Sequence, residues 1–81
     1  MQKPILVPDL QTGIERLVLS AWLIEEGDFV DVGDQVAEIR IPGVTFDVLA
    51  EFPGRLVRIE KSADASIAAG DVMGWIDDLT S

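Results

Sequence analysis

The sequence predicts an all-β fold, a sandwich or barrel, and three observations carry that expectation. Turn signals recur at close spacing: Pro8-Asp9, Thr12-Gly13, Gly27-Asp28, Gly33-Asp34, Pro42-Gly43, Pro53-Gly54 and Gly70-Asp71. The runs between them are short and apolar, which is the punctuation of a chain of brief strands. A faint internal repeat matches VDVGDQVAEI (Val30 to Ile39) to IAAGDVMGWI (Ile67 to Ile76) at an offset of 37 residues. In each copy a hydrophobic residue leads into Gly-Asp, and a strand follows. Two similar halves, neither able to cover its own apolar face, are expected to close on each other as a sandwich with pseudo-twofold symmetry.

Taken in order, the first debatable element is the stretch from Ile14 to Ile24. Ile14, Leu17, Val18, Ala21 and Trp22 fit a helical stripe. Leu19, Leu23 and Ile24 would then lie on the far side and spoil it, and the Gly27-Asp28 turn with its short neighbouring runs favours a strand. AEIRIPGVTFDV (Ala37 to Val48) reads as two strands folded back through Pro42-Gly43. Proline at the first central position pre-sets φ and glycine at the second tolerates φ > 0, as a type II turn requires. Type II turns fit the strand twist of a two-residue hairpin less well than primed turns, which leaves room for a longer or slightly bulged loop. Along the outgoing strand, Phe46, Val48 and Ala50 share one face, with Thr45, Asp47 and Leu49 on the other. RLVRI (Arg55 to Ile59) alternates as well, setting Leu56 against Arg55, Val57 and Ile59. Trp22 and Trp75 are expected to fill the core, since in so small a domain each supplies a large share of buried area.

The totals bound the function. Eighty-one residues make a single domain, residues 1–81, and 48% of them are apolar. Cysteine, histidine and tyrosine are absent. Disulfides, thiolate metal sites and the commonest general base are therefore excluded, so the chain is not expected to be an enzyme by itself. A net charge of −9 argues against nucleic acid and against anionic membrane surfaces. It favours a basic protein surface instead. The longest apolar run, Leu17 to Ile24, falls far short of the ~20 residues of a membrane span. The opening MQKPILVPDL lacks an apolar h-region and a small-residue cleavage site, so no signal peptide is expected and a cytoplasmic protein is.

The carboxylates read as structural. Asp28, Asp31 and Asp34 recur every third residue, a spacing that fails the alternate-ligand pattern of a calcium loop and suits turn formers; no metal site is expected. Asp47 and Glu51, about 13 Å apart on a strand, are too distant to share a proton and should face solvent. Asp77-Asp78 reads as a frayed polar end.

WLIEEGDFVDVGDQVAEI (Trp22 to Ile39) resembles the first half of the lipoyl domains of 2-oxo acid dehydrogenase complexes. ILVPDL (Ile5 to Leu10) is similar to that family's first strand, and GRLVRI (Gly54 to Ile59) with IAAGDVMGWI to its later ones. Biotinyl carrier domains share the fold. The resemblance covers nearly the whole chain and implies a flattened β-barrel, a barrel-sandwich hybrid of two four-stranded sheets. It also implies a functional residue: one lysine at the tip of a tight hairpin, which carries lipoate or biotin. The tip usually reads Asp-Lys-Ala in lipoyl domains and Met-Lys-Met in biotinyl ones.

AEIRIPGVTFDV aligns to that hairpin without a gap. Pro42 falls on the family's Asp, Gly43 on its Lys and Val44 on its Ala, so Ile41, Pro42, Gly43 and Val44 form the tip at the modification position. Gly43 has no amine, and neither lipoate nor biotin is expected as a cofactor. The two lysines of the chain fit no better. Lys3 is expected ahead of the first strand, and Lys61 lies in EKSADAS (Glu60 to Ser66), at the family's second long loop. Phe52, if it joins Ile41, Pro42 and Val44, makes the tip an apolar knob. Phe52 and Asp47 are the candidate partner contacts. The resemblance thus implies a lipoyl-like module without its arm, binding a protein partner such as a basic subunit of a dehydrogenase or carboxylase complex, or acting structurally. The alternative is a genuine lipoyl or biotinyl carrier domain of such a complex.

Overall fold

The computed structural model describes residues 1–9 and 17–78. Eight strands run through them: β1 Gln2–Leu6, β2 Leu17–Trp22, β3 Phe29–Val30, β4 Gln35–Ile41, β5 Val44–Leu49, β6 Gly54–Ile59, β7 Ser66–Ile67 and β8 Val72–Asp77. They form two four-stranded antiparallel sheets, ordered β1-β8-β6-β3 and β5-β4-β2-β7. Among the described residues there is no helix, and none long and apolar enough to cross a membrane. The ambiguous segment is a strand over Leu17–Trp22, with Leu23 and Ile24 in the bend that follows; Ile14 and the Thr12-Gly13 turn lie outside the described residues.

The two sheets are copies. Each strand of the first corresponds to the strand four places away in the second, and the hydrogen bonds repeat at the same offset of 37 residues. Leu56 N–H donates to the Asp28 carbonyl at 2.9 Å, as Leu19 N–H does to Ala65 at 2.9 Å. Gly27 N–H donates to Leu56, and Asp64 N–H donates to Leu19, both at 2.7 Å. Even the bulges match: the register slips between Leu19 and Ala21 against β4, and between Leu56 and Arg58 against β8.

The turns are built alike. Asp28, Asp34 and Asp71 each donate their N–H to the carbonyl three residues back at 3.0 Å. Each carboxylate in turn accepts the N–H of that same residue, at 2.8 to 2.9 Å. Asp28 and Asp34 are turn formers, as their spacing suggested; Asp31, between them, enters the turn through its backbone, and Asp71 closes the turn of the second Gly-Asp copy. The residue before each takes positive φ: Gly27 at 100°, Gly33 at 92° and Gly70 at 88°. A fourth such turn, Ser62 to Ala65, has Asp64 at φ 71° and an alanine in the closing place. The repeat therefore begins well upstream of the ten residues legible in the sequence.

The core lies between the sheets, where Leu19, Val36, Ile39, Leu56, Met73 and Ile76 are fully enclosed. No polar side chain is buried among the described residues, so the interior is held by apolar burial, about 25 cal/mol per Å² removed from water.

Four expectations need correction. The β6 bulge makes Val57 the extra residue opposite β8, so the alternation breaks and Ile59 packs on the core with Leu56 rather than against it. Trp22 packs on the core, but Trp75 does not. Half-buried, it pairs with Pro4 and Arg58 across the neighbouring strands, and the Arg58 guanidinium lies 5.7 Å from its ring centre. Lys3 does not precede the first strand; it lies inside β1, opposite Ile76. The Asp77-Asp78 end is held, with Asp77 in register with Gln2 and Arg55, and Asp78 N–H donating to the Met1 carbonyl at 2.8 Å.

Candidate functional site

The β4–β5 hairpin is tighter than its turn chemistry suggested. Ile41 pairs with Val44, leaving a loop of two residues, Pro42 and Gly43, with no bulge at the tip. Gly43 takes φ 81°, the value the second central position of a type II turn requires. Proline cannot adopt positive φ at the first central position, so the primed turns are closed to this sequence. Ile41 is buried and anchors the hairpin to the core, while Pro42, Gly43 and Val44 are exposed. A Cβ built on Gly43 meets nothing within 4 Å. The tip is thus an open apex with three small or apolar residues and no amine.

Phe52 does not join this apex. It lies beyond the far end of β5, a strand that itself spans roughly 16 Å from Val44 to Leu49 at the ~3.3 Å rise per residue. There it is half-buried, with the Lys3 ammonium 5.3 Å from its ring centre. The tip is therefore no four-residue apolar knob with Phe52 in it. The structure instead brings Phe52 and Asp47 together in a groove of about 490 Å³ between β1 and β5. Leu6, Val32 and Leu49 line it as well, each at least half exposed.

Asp47 faces outward in β5, directly opposite Glu38 of β4. Like charges opposed across a strand pair are unfavourable. Gln35 partly offsets this by donating from Nε2 to the Asp47 carboxylate. The sequence named Phe52 and Asp47 but not their neighbours in the groove, because Leu6 and Val32 reach it from distant segments. No cluster of metal-ligating side chains occurs among the described residues.

Comparison with known proteins follows from this hairpin and its two sheets. A family model, Biotin_lipoyl, described as "Biotin-requiring enzyme", matches residues 3–76. The chain belongs to the Biotin_lipoyl family. Within it, the chain is 31% identical over all 81 residues to the dihydrolipoyllysine-residue succinyltransferase component of the 2-oxoglutarate dehydrogenase complex of Rickettsia conorii, covering 20% of that protein. It is 28% identical over 74 residues, 91% of the chain and 18% of the relative, to the corresponding component from Bacillus subtilis. It is also 39% identical over 59 residues, 73% of the chain, to the pyruvate dehydrogenase E1 component subunit beta of Rhizobium meliloti, covering 13% of it. The chain thus spans about a fifth or less of the length of these relatives. The fold matches the solution structure of the lipoyl domain of the 2-oxoglutarate dehydrogenase complex from Azotobacter vinelandii, with a TM-score of 0.71, 21% identity, and coverage of 91% of this chain and 96% of that one. This is a lipoyl-domain-like module of the Biotin_lipoyl family, all-β as its sequence predicted.

Proposed function

We propose that the chain is a lipoyl-type module without an arm, a non-catalytic domain that binds a protein partner or holds structure where a true carrier domain would act. The observation that supports this is the two-residue turn itself: Ile41 pairs with Val44, and the residues between them are proline and glycine. In this reading the tip holds no amine for lipoate or biotin. Neither lysine replaces it. Lys3 is inside β1 over the Phe52 ring, and Lys61 follows β6, where its carbonyl accepts the Trp22 indole N–H at 2.7 Å.

The relatives named as components of 2-oxoglutarate and pyruvate dehydrogenase complexes make a subunit of such a complex the partner in this reading, and the biotinyl side of the family adds a carboxylase subunit as the other candidate. The net charge of −9 and the opposed Glu38 and Asp47 favour a basic surface on that partner, met in the cytoplasm. A lipoyl ligase and a biotinyl ligase test the reading directly. Incubated with either, the domain keeps its mass while a lysine-bearing lipoyl or biotinyl domain gains its prosthetic group. Modification at Lys3 or Lys61 would restore the carrier reading.

A further inference from the structure

From the groove between β5 and β1 we infer a docking site for an extended strand of a partner polypeptide, with basic and apolar side chains taking turns along the one face it presents to Asp47 and Leu49, which adds to the open edge of β5. The inference deepens the protein-binding reading above and rests on it.

Three observations select this occupant. First, among the described residues β5 is paired on one side only, with β4, and so forms the edge of its sheet. The Ile41–Val44 pair closes a two-residue turn, so the alternation of an antiparallel ladder turns the backbone groups of Thr45, Asp47 and Leu49 toward the open side. An open edge is a template for one more strand. The facing edge, β1, carries Pro4 and lacks a donor there, which makes β5 the receptive side.

Second, the groove gathers apolar side chains that the fold leaves uncovered. Leu6 is 50% exposed, Val32 64% and Leu49 51%, and all three line it beside half-buried Phe52. Alternate side chains of an added strand would seat on them.

Third, the charge names the residue two places from an apolar one, since Asp47 and Leu49 stand two apart on the same face of β5. Asp47 and Glu51 line the groove, and neither forms an ion pair among the described residues. Asp47 is further opposed by Glu38. A lysine or arginine placed there relieves a like-charge pair. The same charge disfavours a second copy of the chain, because two molecules of net charge −9 would bring these carboxylates together.

The test titrates the isotope-labelled 81-residue chain with a capped peptide, Lys-Thr-Leu-Thr-Lys-Thr-Val, which carries lysine and apolar side chains on one face, followed by amide NMR. Saturable shifts are expected from Thr45 to Phe52 and at Leu6. Leu49→Ser and Leu6→Ser, both at exposed positions, should each weaken binding about tenfold. Asp47→Asn should weaken it less and flatten its salt dependence, an effect that mere loss of packing would not produce. The peptide with glutamate in place of lysine should not bind. Shifts confined to Ile41–Val44, equal binding of the acidic peptide, no binding, or concentration-dependent self-association of the free chain at this edge would overturn the inference. None of these outcomes touches the missing amine, which the ligase assay reads separately.

Discussion

Trp22 donates its indole Nε1–H to the carbonyl oxygen of Lys61 at 2.7 Å, and the far end of its ring lies over Gly74, where an added Cβ would come within 3.1 Å of Cη2. Trp22 belongs to β2 of one sheet; Lys61 follows β6 and Gly74 sits in β8 of the other. One side chain therefore ties the two halves together. Trp22→Phe keeps a ring over Gly74 but drops the hydrogen bond, and should cost about 1 kcal/mol in urea unfolding. Gly74→Ala must displace the Arg58 carbonyl, 2.8 Å from the new carbon, and should cost about 1–3 kcal/mol. Unfolding curves that superpose on the parent would refute this tie.

Among the described residues Gly54 is the most demanding glycine. Its φ is 153°, and a Cβ there would sit 2.1 Å from the Asp77 carbonyl oxygen of the neighbouring strand. Gly54→Ala should destabilise more than Gly70→Ala, where φ is 88° but the space is open and only the left-handed penalty of about 1–2 kcal/mol applies. The comparison is a thermal melt of the two variants side by side.

The odd turn of the four offers a gain. Asp64 occupies the place that Gly27 holds in the other half, at φ 71°, and Ala65 occupies the place of Asp28. Asp64→Gly relieves the positive φ, and Ala65→Asp supplies the carboxylate that would accept the Ser62 N–H. The double variant should gain about 1 kcal/mol. A lower midpoint in denaturant would show that the halves are not equivalent here.

The tip can be rebuilt. Gly43→Lys alone places a side chain at φ 81° behind a proline and should cost about 1–2 kcal/mol. With Pro42→Asp added, the turn is free to relax, and the exposed lysine should become a substrate for a lipoyl ligase. A folded double variant that stays unmodified beside a lysine-bearing control would break the equivalence of this hairpin with the family's.

The symmetry also predicts where the chain can be cut. The residue 37 places after Ile41 is Asp78, whose N–H meets the Met1 carbonyl at 2.8 Å. That junction is the counterpart of the β4–β5 turn. A permutant beginning at Gly43 and ending at Pro42, with Asp78 joined to Met1 through Asn-Gly, should unfold cooperatively and keep the parent amide spectrum. Loss of either would mean that the hairpin turn is needed to form the fold.

The sequence made the hairpin and the strand alternation legible because both are local: Pro-Gly limits the turn to a few conformations, and Phe46, Val48 and Ala50 fall two apart. Ile59 was misplaced because the bulge at Val57 changes which face a residue of β6 takes, and nothing in RLVRI marks it. Trp75 was misplaced because its size was weighed above its alternation with Gly74 and Ile76, which take the inner face. The fourth turn was hidden because Asp64 stands where the other three have glycine. The sequence left open whether Phe52 reaches the tip because adjacency along β5 depends on strand length in space, and the groove it lines is shared with β1 and the Val32 turn.

Whether an acyl or biotinyl arm is ever attached is decided by the intact mass of the protein purified from its source cells. The account predicts a mass equal to that of the unmodified polypeptide. A mass increased by one lipoyl or biotinyl group would contradict it.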